Sequence, residues 1–367
     1  MPCTMCQGEG PLDSRGLCPS CADKLAALSR GTADLSKQIS ETIGAEAVGG
    51  DRTPQPDEPR ARAEPRSKSH RVVEFGQSDA CSLRHPFSVA TCGDNDVLVM
   101  DRPTRDSYRV SLFASDGEFL RTVFTCHKGS GPDELKLPKG IAADRHGNVY
   151  VPDAGNNRIQ RFGPQGAPLG PIGAHGDGPG EMDFPCDVDV DDMGMLYVAD
   201  TYNGRIHKLT PQGVLLLTIH EGCDPSGGEP LPLDEPLGVT ADAQGNIYVA
   251  DTKNHRVLKY DPEGRWLFTF GEQGGAPGQF IEPTDVRVMD DGLIYVADAN
   301  NTRVQRFGPA GDFRAEFSLE GGELPPDVGG DVAVDSDGLL ILCDPNKHTV
   351  AKVEFLDDVP PGAGETS

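Results

Sequence analysis

Four cysteines have the types and spacing to do chemistry. Cys3 and Cys6 form one C-x2-C knuckle, "CTMC", and Cys18 and Cys21 form a second, "CPSC", after eleven intervening residues. Two such knuckles bring four thiolates into a tetrahedron, a geometry that Zn2+ accepts readily. Gly8, Gly10 and Gly16 supply the tight turns. With all four positions filled by protein, the site is closed, so the expected role is structural. A segment this short has no core, and metal binding must supply its folding energy, on the order of 10–16 kcal/mol. Iron is the runner-up metal for four thiolates. The other six cysteines, Cys81, Cys92, Cys126, Cys186, Cys223 and Cys343, are scattered singly and read as reduced core fillers.

A second constellation, Asp-x-x-Asn-x-Arg, occurs four times: Asp153/Asn156/Arg158, Asp200/Asn203/Arg205, Asp251/Asn254/Arg256 and Asp298/Asn301/Arg303. Four Asp–Arg pairs invite a catalytic reading. Repetition in every copy, however, is the mark of a folding requirement. The Asp and Asn are expected to satisfy backbone groups of the tight loop that holds them. The Arg is expected to bridge to a neighbouring loop. Two related loops, "DRPTRDSYR" and "DPNKHT", depart from the pattern and are where specific chemistry is expected first.

The elements that position these groups are repeated. Each Asp closes an apolar stretch such as "LYVAD" or "IYVAD", and weaker copies end at Asp101 and Asp344, giving six units spaced 46 to 52 residues apart. Each unit divides into four short strands, with "PQG", "PEG" and "PAG" as hairpin turns. The 45 glycines and 31 prolines suit many tight turns. A repeat of this length made of strands predicts an all-β, six-bladed β-propeller. The last unit lacks a fourth strand, and a lone strand at 71–76 precedes the first. The two are expected to pair, 71–76 beside 348–355, and so close the ring.

The starts of the inner strands converge on the propeller axis. One ring of positions is Phe87, Lys139, Cys186, Leu237, Thr284 and Gly330; the next is Ser88, Gly140, Asp187, Gly238, Asp285 and Asp331. Three carboxylates near one axis form a candidate site for a cation such as Ca2+. The alternative is that each Asp caps its own strand.

The pattern P-x-[GD]-[IV]…G-x-[IV]-Y-V-A-D-x-x-N-x-R-[IV] over about 71–356 resembles the NHL repeat. The resemblance implies a six-bladed propeller and leaves the activity open, since propellers host unrelated functions. Some members of this family bind RNA on a basic face. A related metal-dependent lyase places three histidines on the inner-strand starts. Here only His85 stands near such a position, so that triad fails, and His85 with Cys186 and Asp187 is the remaining combination. The "CPSC" knuckle resembles those of zinc ribbons and rubredoxin-like modules. A RING-type ubiquitin ligase needs eight ligands, and four cluster here. The order of cysteine module, helix, linker and propeller is similar to that of the tripartite-motif proteins.

The organisation expected is a four-cysteine module at 1–22, a short amphipathic helix at 23–43, a flexible linker at 44–69, the propeller at 70–357 and a disordered tail at 358–367. Net charge is −25, which opposes binding to nucleic acid and anionic membranes. No apolar run reaches a membrane span, and "MPCTMCQGEG" is not a secretory signal, so a cytoplasmic location is expected. The leading functional expectation is a non-catalytic scaffold presenting a loop face to a protein partner, with the zinc module as a second contact. The alternatives are an RNA-binding propeller and a metal-dependent hydrolase or lyase at the pore.

Overall fold

The computed structural model describes residues 72–93, 95–223, 230–318 and 332–353. The four-cysteine module, the helix at 23–43, the linker at 44–69, the tail at 358–367, Gly330 and Asp331 lie outside the described residues.

The strands form six four-stranded antiparallel sheets, each one blade. Blade 1 runs Ser88–Cys92, Asp96–Thr104, Ser107–Phe113 and Phe119–His127 from the axis outward. Blade 2 begins at Ala142–Ala143, and its second and third strands are Val149–Asp153 and Arg158–Phe162. Blade 3 runs Pro185–Val190, Leu196–Asp200, Arg205–Leu209 and Leu215–Ile219. Blades 4 and 5 repeat this from Pro236–Ala241 and Asp285–Val288, and blade 6 starts at Val332–Val334. A two-stranded ribbon, Glu221–Cys223 with Pro230–Pro232, sits between blades 3 and 4.

The second strand of a blade is buried on both faces, which is why it reads as a near-continuous apolar run. In blade 3, Leu196 and Val198 face blade 2, whereas Tyr197 and Ala199 face blade 4. Every pair of neighbouring blades shares one such apolar cluster. Burial at about 25 cal/mol per Å2 makes each interface stabilising only while both blades are present.

Ring closure follows the expectation. Val72–Phe75 pairs antiparallel with Thr349–Val353, Val72 opposite Val353 and Phe75 opposite Val350. The sixth blade is thus built from both ends of the propeller chain. Phe75, Ile341 and Val350 from it pack on Val89, Val97 and Phe113 of blade 1.

One strand differs from the sequence reading. The expected inner strand of blade 2 from Gly140 shortens to Ala142–Ala143. In blades 3 and 4 the ladder slips one residue after the proline, between Pro185 and Asp187 and between Pro236 and Gly238. In blade 2 the same slip spans Lys139 and Gly140, leaving a single bridge from Pro138 to Asp153.

Five of the scattered cysteines, Cys81, Cys92, Cys126, Cys186 and Cys343, are free thiols. Cys81, Cys126, Cys186 and Cys343 are buried and Cys92 partly so.

Candidate functional site

The Asp-x-x-Asn-x-Arg groups do not cap their own loop, contrary to the sequence expectation. That loop is a 3-10 turn, Thr201–Asn203 in blade 3, closed by Gly204 in the left-handed region, and Asp200 makes no side-chain cap bond there. Instead Asp200 Oδ1 accepts from the Asp183 amide at 2.6 Å, and Oδ2 accepts from Asn203 Nδ2 at 2.9 Å and Arg205 Nε at 2.7 Å. Arg205 then donates to the carbonyls of Asp177, Gly178 and Glu181, and Asn203 donates to that of Gly176. The triad grips the long connection leading into its blade's inner strand. That connection carries carbonyls and amides with no ladder to join, which side chains must satisfy.

The other three copies correct the expectation in the same way. Asp153, Asp251 and Asp298 accept from the amides of Lys136, Asp234 and Ile281, each 17 residues back. Asn156, Asn254 and Asn301 bond their own Asp at 2.7, 2.9 and 2.8 Å. Their second Nδ2 bond goes to the connection, at the carbonyls of Gly129, Pro232 and Gly274, and not to the turn that holds them. The arginines do bridge to a neighbouring segment, as expected. Arg158 donates to the carbonyls of Gly131 and Glu134. Arg303 donates to those of Gly275, Ala276 and Gln279, and pairs with Glu316 at 2.7 Å. Arg256 keeps the Asp251 pair at 2.7 Å but donates to Leu231 at 3.3 Å, because its connection is the two-stranded ribbon.

These carboxylates are completely buried. Burial pushes Asp153 and Asp251 above the usual carboxylate range, and their hydrogen bonds only partly offset it. Burial also pushes Asp200 up. There, bonds from His207, Asn203, the Asp183 amide and Arg205 outweigh it and hold the carboxyl below its usual range. His207 is fully buried, its Nε2 3.4 Å from Asp200 Oδ2.

The two divergent loops depart to different degrees. In blade 1 Arg109 pairs with Asp101 at 2.6 Å and donates to the Ser82 carbonyl, while Asp101 accepts from the Arg84 amide. The device survives across a wider loop. In blade 6 Asp344 accepts from the amides of Asn346 and Lys347 and so caps its own turn.

At the axis, Asp187 accepts from the Val239 amide of blade 4 at 3.0 Å, and Asp285 accepts from the Val332 amide of blade 6 at 2.9 Å. Each carboxylate therefore ties its blade to the next. Gly140 and Gly238 leave the room this needs. A Cβ at Gly140 would lie 2.9 Å from Asp187 Oδ1, and one at Gly238 would lie 2.7 Å from the Asp285 backbone.

Between the two carboxylates lies Arg287. Its Nη1 is 3.0 Å from Asp187 Oδ2 and 3.0 Å from Asp285 Oδ1. The same guanidinium donates to the carbonyls of Val239 and Val332, so one side chain joins blades 3, 4, 5 and 6. A basic group thus stands between two of the three carboxylates of the candidate cation site; the third, Asp331, lies outside the described residues. Among the described residues no three His, Cys, Asp or Glu side chains cluster as a metal site. His85 is not gathered with Cys186 and Asp187; its ring meets His348 edge-on at 4.6 Å. Cys186 is buried, and burial pushes its thiol up to about 11. Of the described positions in that first ring, Phe87 and Thr284 are buried as well, and Lys139 and Leu237 reach partial exposure.

The mouth is lined instead by the residue before each proline: His85, Leu137, Phe184, Glu235 and Glu282. All five are in the left-handed region, φ 48, 53, 54, 45 and 51°. A proline normally forces its predecessor into extended backbone, so each of these positions is strained. Bonds to the preceding blade hold three of them. The amides of Phe184, Glu282 and His85 donate to Asn157 Oδ1, His255 Nδ1 and His348 Nδ1, at 2.8, 2.9 and 3.1 Å.

The side chains at these positions divide the mouth into sectors. At blades 4 and 5, Lys253 bridges Glu282 at 2.8 Å and Glu235 at 3.9 Å. At blades 2 and 3, Phe184 stacks on Tyr202 with centroids 4.7 Å apart and planes 11° apart. Lys139 Nζ lies 5.7 Å from the Phe184 ring, and Leu137 and Tyr202 are 45% and 59% exposed. At blades 6 and 1 the residues are basic: Arg84, His85, Arg102, Arg105 and His348 line a cavity of ≈ 620 Å3.

A closed ring of six four-stranded sheets defines a six-bladed β-propeller. Residues 135–162, 233–260 and 280–307, in blades 2, 4 and 5, match the NHL repeat. Protein brain tumor of Drosophila melanogaster is 58% identical over 38 residues, a match spanning 10% of this chain and 4% of that protein. Among solved structures, a structural-genomics protein from Bacteroides thetaiotaomicron superposes with TM-score 0.55 and 17% identity, over 78% of this chain and 76% of that one. A gluconolactonase from Xanthomonas campestris gives 0.52 and 16%, over 74% and 86%. Virginiamycin B lyase from Staphylococcus aureus gives 0.51 and 10%, over 78% and 100%. At such identities these structures share the fold alone. Among the described residues no helix is long and apolar enough to cross a membrane.

Proposed function

We propose that the protein is a non-catalytic scaffold whose mouth face binds a protein partner. The observation that carries this reading is the aromatic sector at blades 2 and 3. Tyr202 lies exposed on Phe184, flanked by Leu137 and Lys139. Aromatic side chains beside a cation are typical interface anchors, since they bury large area at low entropic cost. Neither Tyr202 nor Leu137 belongs to any apolar cluster between blades, so the ring does not require them.

The test is capture by the full chain against its Tyr202→Ala variant, with melting temperature as the folding control. Loss of bound protein at unchanged melting temperature supports the reading. An identical set of captured proteins would sink it. A hydrolase or lyase at the pore has less support, because metal ligation by Asp187 and Asp285 requires displacing Arg287.

The second contact is assigned to a zinc module formed by Cys3, Cys6, Cys18 and Cys21, on the strength of their spacing. Metal analysis should find one zinc per chain, lost on Cys18→Ser. A visible absorption band would mean iron.

A further inference from the structure

The cavity between blades 6 and 1 is unlike the rest of the molecule. The chain carries a net charge of −25, yet among the described residues no Asp or Glu lines this cavity. Arg84, Arg102 and Arg105 do, and all three are exposed. Among the described residues none of their guanidiniums pairs with a carboxylate. Of the acids nearby, Asp101 is committed to Arg109, and Glu74 and Asp344 to Lys347, while the exposed Asp106 beside Arg105 is not among the residues that line the cavity. Arg102 is oriented by the rings beneath it, its Cζ 6.0 Å from the centroid of Phe87 and 5.8 Å from that of Tyr108. His85 and His348 fix the wall of the cavity through their bond across the seam. Elsewhere in the propeller, Arg158, Arg205, Arg256 and Arg303 are consumed by buried Asp and backbone carbonyls, as Arg109 is in blade 1. Here three cations converge on solvent, and such a recess focuses a positive potential within an acidic surface.

We infer that this cavity receives an acidic segment of a protein partner, two or three Asp or Glu carboxylates engaged by Arg84, Arg102 and Arg105. Arginine suits that task because its planar fork matches a carboxylate with two parallel hydrogen bonds. Nucleic acid fits less well. RNA recognition relies on exposed aromatic faces for stacking, and Phe87 and Tyr108 are only 5% and 3% exposed. The net charge also opposes a long polyanion more than a short one. The inference rests on the reading of the mouth as a partner-binding face and adds the chemistry of what is bound.

The test is fluorescence anisotropy of labelled hexaglutamate with the full chain at about 0.15 M salt, beside a labelled uridine hexamer. Saturable hexaglutamate binding is expected, weakened about tenfold or more by Arg84→Ala/Arg105→Ala at unchanged melting temperature. Arg265→Ala, an exposed arginine of blade 4 away from the mouth, should leave it unchanged. Absence of saturable binding, or indifference to the arginine pair, overturns the inference, as does tighter binding of the uridine hexamer at this site. Partner capture that still depends on Tyr202 while hexaglutamate fails would remove this inference and leave the scaffold reading standing.

Discussion

Arg205 in blade 3 and Arg84 at the seam with blade 6 both belong to loops of the same face, and they have opposite fates. Arg205 is held by Asp200 and three backbone carbonyls, with its side chain only 8% exposed. Arg84 lends its amide to Asp101 and leaves its guanidinium in solvent. The same residue type serves the fold in one place and remains available in the other. What separates them is position: Arg205 belongs to the Asp-Asn-Arg triad, whereas in blade 1 that place is taken by Arg109 and Arg84 lies outside it. In blades 2 to 5 the Asp, Asn and Arg of each loop are used up by the connection they grip. In blade 1 Asp101 is used in the same way, by Arg109 and the Arg84 amide, and only Asp344 of blade 6 has a shorter-range task; Arg84, Arg102 and Arg105 are further cations that remain over.

The largest effect that tests this contrast is Arg205→Ala. It leaves a buried Asp200 without its cation and should cost about 3–5 kcal/mol in denaturant unfolding. Arg287→Ala comes next, at about 2 kcal/mol, since it removes the link among four blades. Added Ca2+ should then restore part of the lost midpoint by bridging Asp187 and Asp285, whereas the wild-type chain should show no such gain. Acid titration gives a smaller effect. Asp200 is held low, so its contribution is complete above about pH 4 and is lost as pH falls through its depressed value. Asp153 and Asp251, held high, have the opposite sign. His207→Gln, which copies Gln160 and Gln305, should move Asp200 toward that pattern and reduce the acid-side loss of melting temperature. The smallest effect is Lys347→Ala at the seam. Its ion pairs with Glu74 and Asp344 are half exposed, so the expected change is about 0–1 kcal/mol. A cost near that of Arg205→Ala would abolish the distinction between the two regions.

Much of the architecture could be read from the sequence because the ring repeats itself. The "YVAD" strands, the spacing of their Asp residues and the orphan strand at Val72 fixed blade number and closure, since period-2 patterning and a missing fourth strand are local signals. The partners of the Asp-Asn-Arg triads could not be read so easily. Asp200 reaches back 17 residues to Asp183, and Asn156 reaches back 27 to Gly129. No local pattern marks such contacts. Arg287 did leave a signal. It is the one basic residue in the register Ala90, Ala142, Asp189, Thr240, Arg287, Ala333, on the same strand face as Asp285. The sectors of the mouth were obscured for another reason. The residue before a proline is ordinarily extended, and its left-handed conformation here is held at three of the five positions by bonds to the preceding blade. The sequence therefore pointed to the residues after the prolines, and the ring buries most of those.

That left-handed residue has a consequence for how such a protein changes over time. The main-chain amides of His85, Phe184 and Glu282 each bond the preceding blade. That tie does not depend on which side chain occupies the slot. One codon can thus rewrite the chemistry at the rim of a single blade while the scaffold beneath stays as it was. Histidine, leucine, phenylalanine and glutamate already share the five slots in this one molecule.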